Sequence, residues 1–593
     1  MKRTKIRNRL LFCSCLACGM LMSGCSDSDY DISSVDAKLG VGGCLSLPSD
    51  NSVIITLDDI LNLGNTDLIK VLDNGDYQFG KDPETVSDVN INVDKITLLE
   101  KSEQGLSFNV DLPSFPPAII GQEVDIPYTA IDPHIDIAEQ TGDVSLFEYD
   151  FDAPAEINAL KWVRIGDEGV GVDLNLSLTF PEEIKKFEYV KIQMPGMLEM
   201  TCNKAGFNAS TNVLTLSNCT PSDCNGIVFN VTKINVKDVD AKNFAKLENG
   251  KFKLSGYVNM TMKVSRVKVS AKSSVQVSGN ASFNNLVITA ANGQFKPTID
   301  AQKIGSTTIN SLPDFLTDTR VEADIDNPQI WLTLESNLPL GGYVEAKLSS
   351  TTSSGVKVVF LDKDNGNELP IAANGTTRLV VCRKAPADLT HNGETYTPVI
   401  APDLSNIIKK LEEGMAINID ITKFEANDDV ITVELGKDYT FAPTYRFTAP
   451  LVLGDEARIV YSDNEDDLHK DLKDLKLEKG AVLTVAADVN NKVPADLEIN
   501  ITPLGLDGQP ISTLVVKPIQ NKVAAGAAAD KIKYEISDPN GTGLNQLDGI
   551  EYELLVTAPT ASSEKGKVLN KTQEIVIKTT DLHLNGQVIV DTD

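Results

Sequence analysis

Val258-Asn259-Met260-Thr261-Met262-Lys263-Val264-Ser265 alternates apolar and polar residues at a period of two. Successive side chains of a strand point to opposite faces, so this pattern predicts a strand with one buried and one wet face. Val267-Lys268-Val269-Ser270 continues the alternation after one slip at Arg266, which predicts a bulge or bend. Val170-Gly171-Val172-Asp173-Leu174-Asn175-Leu176-Ser177-Leu178 repeats the pattern. Asn-Gly pairs at 74, 225, 249, 292, 365, 374, 392, 540 and 585, and Asp-Gly at 507 and 548, supply residues that tolerate positive φ in tight hairpins. The expected fold class is mainly β: tandem antiparallel β-sandwich domains with a few short helices.

Helices are expected as one patch from Leu57 to Leu72, at Pro402–Glu413 and at Asp467–Leu477, where Leu468, Leu472 and Leu475 share one narrow face. The expected layout is a leader over 1–24, an acidic tether over 25–40 and a mixed, mostly β domain over 41–150. Sandwich-like domains follow over 151–300, 301–455 and 456–593. A shift of 164 residues aligns Ala323, Asp324, Asn327, Pro339, Leu340 and Gly341 with Ala487, Asp488, Asn491, Pro503, Leu504 and Gly505, as two related domains would. Asp324-Ile325-Asp326-Asn327-Pro328, entering an alternating strand, faintly resembles immunoglobulin-like modules.

The first residues have the three parts of a secretory signal. Lys2, Arg3, Lys5, Arg7 and Arg9 are basic, Leu10–Met22 is apolar, and Ser23-Gly24 is small. The apolar run is too short for a comfortable membrane span. Met22-Ser23-Gly24-Cys25 resembles the lipobox of bacterial lipoproteins, with Met22 where Leu is commoner. The resemblance implies that Cys25 becomes the lipidated first residue after cleavage. Ser26-Asp27-Ser28-Asp29-Tyr30-Asp31 resembles the acidic export signal of surface-exposed lipoproteins in Bacteroidota-type bacteria, carried here by Ser26, Asp27, Asp29 and Asp31. A solvated acidic linker facing the periplasm is the other reading. Each buried methylene of an acyl chain contributes about 0.8 kcal/mol, so two or three chains would hold the protein on the outer membrane essentially permanently.

Residues 1–24 hold five of the 54 basic residues and none of the 84 acidic ones, so the net charge of −30 becomes −35 for the rest. Nucleic acid is not an expected partner, because phosphate binding needs a basic footprint. Cys13, Cys15 and Cys18 leave with the leader. Cys44, Cys202, Cys219, Cys224 and Cys382 remain beside Cys25, an odd number that leaves at least one unpaired in an oxidising compartment. Cys202 and Cys219 flank a predicted hairpin and form the first disulfide candidate, with Cys219 and Cys224 as the other pairing.

Sites of chemistry are sparse. His134, His391, His469 and His583 lie far apart, and no nucleophile elbow, phosphate-binding glycine loop or zinc-protease motif is present. No catalytic residue, metal site or cofactor is expected. Asp362–Glu368 fits a hairpin turn better than a calcium loop, since its Gly366 stands fifth rather than sixth. Asp463–Asp467 fits a helix start. Trp331, in Ile330-Trp331-Leu332-Thr333-Leu334, either lies exposed as a glycan platform or caps a sheet edge. The expectation is a surface lipoprotein with a non-catalytic binding or adhesion role. Its ligand would be a glycan or a host or envelope protein. Exposed aromatics along one face would mark an accessory glycan-binding lipoprotein of an uptake system. A long unpaired edge strand would mark an assembly subunit of the envelope or a pilus.

Overall fold

The computed structural model describes residues 39–46, 52–61, 63, 68–85, 89–92, 96–97, 104–154, 156–283, 286–297, 302–310, 312–466, 469, 476–477 and 479–590. Among them the chain is mainly β, with two short α-helices, Leu57–Leu61 and Asp314–Thr317. Six larger antiparallel-dominated sheets pair off face to face, and one parallel contact joins Gly375–Cys382 to Thr397–Ile400.

The alternating stretch that opened the reading is the spine of the first sandwich. Lys251–Lys268 runs for 18 residues and pairs with Gln140–Asp152 on one side and Ile184–Gln193 on the other. Val258, Met260, Met262 and Val264 face inward, each 2% exposed or less. The slip at Arg266 is an irregularity of pairing: Phe187 opposes Val264, and Lys186 opposes Arg266, so Ser265 is skipped. Opposite lies the sheet containing Val172–Thr179 and Ile227–Asn235, and Leu174, Leu176 and Phe229 join one core with Phe187, Val190 and Ile192.

A second sandwich stacks the sheet of Gly342–Thr352 and Ala416–Ala426 on that of Gln329–Ser336 and Asp438–Pro450. A third stacks Ala481–Asn491, Asp530–Asp538 and Glu574–Val590 on Asp496–Gly505 and Leu547–Thr557. One apolar cluster runs through both, from Ile330, Val344 and Ile419 to Val489, Leu497 and Leu554.

The segment 41–150 is distributed over all three. Leu39–Ser46 and Ser52–Thr56 pair with Glu574–Val590. Ile69–Val71, Tyr77–Thr85 and Val89–Asn92 extend the sheet of Asp438–Pro450. Ile96–Thr97 pairs with Val287–Ile288, and Gln104–Asp111 with Ser274–Phe283. In return Ile431–Glu434 crosses into the first sandwich beside Val287–Phe295, where Arg164 Nη1 donates to Glu434 Oε1 at 3.1 Å.

Several local expectations are corrected. Among the described residues of the first helical stretch only Leu57–Leu61 is helix; Ile69–Val71 is a strand, because Asp73-Asn74-Gly75-Asp76 closes a hairpin onto Tyr77–Phe79. Pro402–Glu413 forms a single 3-10 turn, Leu404–Ile407, whose Leu404 and Ile407 are buried in the core. Of the expected helix Asp467–Leu477 most lies outside the described residues; within it His469 is helical, and only the end, Lys476–Leu477, is a short strand instead. Asn249-Gly250 is the expected tight turn, with φ of 53° and 71°. Asn292-Gly293 instead sits inside Val287–Phe295, where a Cβ on Gly293 would stand 1.9 Å from the Ala159 carbonyl oxygen. The 164-residue shift aligns unlike elements: Asp324 is in a loop, whereas Asp488 is within a strand paired on both sides.

Candidate functional site

Cys25, Ser26, Asp27, Asp29 and Asp31 lie outside the described residues. Cys202 ends the strand Leu198–Cys202 of one sheet of the first sandwich, whereas Cys219 follows Val213–Ser217 of the other. The Cys219 thiol donates to the Leu216 carbonyl at 3.4 Å, and the thiol that perturbs it is that of Cys224, at the end of the 3-10 turn Pro221–Cys224. Both are buried free thiols, and Cys202 is half-buried. Cys44 pairs through its backbone with Asn585. Asp362 serves a turn, its Oδ1 accepting from the Asn365 N–H at 2.9 Å.

Trp331 is neither at a sheet edge nor a bare platform. Its strand is flanked on both sides, with Val380 and Arg446 directly opposite it. The indole Nε1 donates to Gln329 Oε1 at 3.1 Å and to Thr448 Oγ1 at 3.0 Å. Tyr396 packs edge-on at 4.9 Å between centroids, and His391 lies 5.9 Å away. His391 belongs to the small hairpin Thr390–Thr395, pinned by an Arg446 Nη1 to Nε2 contact of 2.6 Å and by the Arg378–Glu394 ion pair. The aromatic group is thus a small satellite core over Val380 and Cys382, whose thiol burial pushes up to about 11.

Burial, and then the Arg446 cation, hold the His391 pKa below its ordinary value. The folded state therefore favours the neutral ring. A depressed histidine contributes stability that is present above its unfolded pKa of about 6.5 and is lost as pH falls towards the folded value. Acidification from about pH 7.5 to about pH 5 is expected to loosen the hairpin over Trp331. In a Trp162→Phe variant, Trp331 emission should shift to the red on acidification, and His391→Asn should remove the step. An identical step in the His391→Asn variant would assign it to another group.

The exposed face of the molecule is elsewhere. Gly355–Leu361 ends its sheet: it pairs with Gly342–Thr352, from Ala346 opposite Leu361 to Thr352 opposite Gly355. No strand among the described residues pairs with its other side. Val356, Val358 and Phe360 lie on its outer face and are 59%, 36% and 51% exposed, while Val359 and Leu361 enter the core. Beside it opens a cleft of about 460 Å³, within the roughly 300–1,000 Å³ usual for ligand pockets. Ser350, Lys357 and Val358 line it from the sheet, Asn406 from the 3-10 turn Leu404–Ile407, and Lys409 and Lys410 from the chain just after that turn, with the carboxylates of Glu322 and Glu456 in the same lining. Sequence reasoning passed over this strand. Val356-Lys357-Val358-Val359-Phe360-Leu361 is apolar at both parities, the mark of a strand buried on two faces. Only the sheet order reveals it as an edge.

The described residues hold no helix long and apolar enough to cross a membrane. Fold and site define a class: a mainly β protein of stacked antiparallel sandwiches with an open apolar edge. No protein family matches the chain, and no curated protein does. Two solved structures are similar in part. One, from Parabacteroides distasonis and provisionally described as secreted, is 16% identical, with a TM-score of 0.35 over 49% of this chain and 89% of that one. The other, of the infectious bursal disease virus Gx strain, is 7% identical, with a TM-score of 0.15 over 86% of this chain and 82% of that one.

Proposed function

We propose that the chain is a lipoprotein held in the outer membrane by lipid on Cys25 and displayed at the cell surface, with a non-catalytic binding role. The observation that supports binding is the open edge Gly355–Leu361, where Val356, Val358 and Phe360 stand in solvent. The edge strand Val515–Gln520, by contrast, carries Pro518, which cannot donate to a further strand. An assembly subunit joined by strand addition would need the same open edge, and is the second reading. A glycan platform gains less, because the Trp331 ring is packed and its N–H is bonded.

The anchor has a consequence for orientation. Leu39–Ser46, the strand nearest Cys25, belongs to the third sandwich through Glu574–Val590. The intervening chain spans at most roughly 50 Å, so the C-terminal body would stand nearest the membrane.

The test is protease treatment of intact cells carrying a C-terminal tag. Display predicts loss of the tag in the native chain and its protection in a version with Asp27, Asp29 and Asp31 changed to Ala. Cys25→Ala should release the protein from the membrane fraction. A tag protected until the outer membrane is broken would overturn surface display.

A further inference from the structure

The chain crosses from one sheet of the first sandwich to the other over residues 218–226, and the crossing carries a cysteine towards each end. Cys219 follows Val213–Ser217, in the sheet of Ile184–Gln193, and its carbonyl oxygen accepts from the Phe187 N–H of that sheet at 2.8 Å. Cys224 precedes Ile227–Asn235, in the facing sheet. Between them the chain doubles back. The Asp223 N–H donates to the Thr220 carbonyl at 3.0 Å, and Asp223 Oδ2 accepts from the Thr220 N–H at 2.7 Å. Closing Thr220 on Asp223 brings their outer neighbours, Cys219 and Cys224, into the same buried core. Each thiol is the largest influence on the other's ionisation, lowering Cys219 and raising Cys224, as sulfurs in contact would. Cys202 is engaged in its own turn, where its sulfur accepts from the Lys204 N–H at 3.4 Å. Cys382 and Cys44 belong to the second and third sandwiches.

We propose that Cys219 and Cys224 are joined by a disulfide in the exported protein, a covalent staple where the chain passes between the two sheets of the first sandwich. The inference rests on the exported location, because disulfides persist in oxidising compartments. One cysteine loses its proton to water, and its thiolate attacks a sulfur of a donor disulfide, carried by an exported thiol oxidase or by oxidised glutathione. The donor's other sulfur leaves as a thiolate. The second cysteine then loses its proton, and its thiolate attacks the first cysteine's sulfur and displaces the donor. The two cysteines give up two electrons and two protons, and both donor sulfurs end as thiols. Both cysteines are buried once the crossing has packed, so the exchange precedes packing and the finished bond is shielded from reductants.

The test uses the full chain exported by cells, extracted in detergent, denatured in N-ethylmaleimide and digested with trypsin without reduction. Both cysteines fall in the peptide 205–233, and Cys202 in the neighbouring 192–204. The expected result is 205–233 without alkylation and lighter by two hydrogen atoms, beside 192–204 alkylated at Cys202. A peptide 205–233 joined to 192–204 would overturn the pairing. Two alkyl groups on 205–233 would overturn the bond as a feature of the exported protein. Refolding the chain from residue 25, with Cys25→Ala, out of urea with oxidised glutathione separates the levels of failure. A bond there and not in cells would overturn the oxidising location alone, and no bond in either would overturn the pairing. As a staple, the bond should raise the urea midpoint at which residues 104–295 lose hydrogen-exchange protection. Cys219→Ala with Cys224→Ala should abolish that rise. A native chain with the same midpoint after reduction and refolding would overturn the staple.

Discussion

Asp538→Ala is expected to lower the unfolding free energy by about 3–5 kcal/mol. Asp538 is fully buried at the end of Asp530–Asp538, and its carboxylate organises the loop that follows. Oδ1 accepts from the backbone N–H of Asn540 at 3.2 Å and Gly541 at 2.8 Å. Oδ2 accepts from Gly543 at 2.7 Å and Leu544 at 3.0 Å. Alanine would leave these donors without their acceptor, and the Gly543 and Leu544 bonds are buried. Leu544 and Leu547 would also lose the loop that seats them beside Leu514 and Ile536. Asp538→Asn keeps one acceptor oxygen and should cost less. Burial pushes the carboxyl up, but the four backbone donors outweigh it and hold the pKa below the ordinary value. The stabilisation is therefore present above the unfolded pKa of about 3.9 and is lost as pH falls through the folded one. Urea unfolding of both variants near neutral pH, and of the native chain down to about pH 3, checks both statements. An Asp538→Ala chain as stable as the native one would show that the loop does not depend on the carboxylate.

Phe229→Ala is expected to cost about 3–5 kcal/mol, the usual range for truncating a buried phenylalanine. Phe229 is completely buried in Ile227–Asn235, with Leu174 opposite it on one side and Cys202 on the other. Its ring meets Phe207 edge-on at 5.6 Å between centroids. Strands on both sides fix the backbone, so the space left cannot close by collapse. Because this core is separate from the cluster through the second and third sandwiches, a first transition confined to residues 104–295 should appear before the rest unfolds. Hydrogen exchange followed by mass spectrometry would locate it. Loss of protection throughout the chain at once would show instead that the strands exchanged at Ile96–Thr97 and Ile431–Glu434 make the three sandwiches one cooperative unit.

The alternation of Val258–Ser265 revealed a strand with one buried face because a side-chain period of two is a local property of extended backbone. The slip at Arg266 was legible for the same reason. Asn249-Gly250 announced its turn through the positive φ that a tight hairpin requires. Asn292-Gly293 spelled the same signal inside a strand. There the need for glycine comes from the Ala159 carbonyl of a neighbouring strand, far away in sequence. Ile69-Lys70-Val71 read as helix because spacing alone does not weigh the hairpin closed by Asp73–Asp76.

By itself the sequence determined the β class, much of the turn chemistry and the acidic balance, since each is written in neighbouring residues. Tertiary structure alone decided that residues 39–111 are shared among three sandwiches and that Trp331 sits under the hairpin of His391. It also decided that Val356, Val358 and Phe360 face solvent. Strand partners are chosen by pairings across hundreds of residues, and a strand's own pattern is the same whether one edge or two are filled. Only the completed sheet decides which edge is left open.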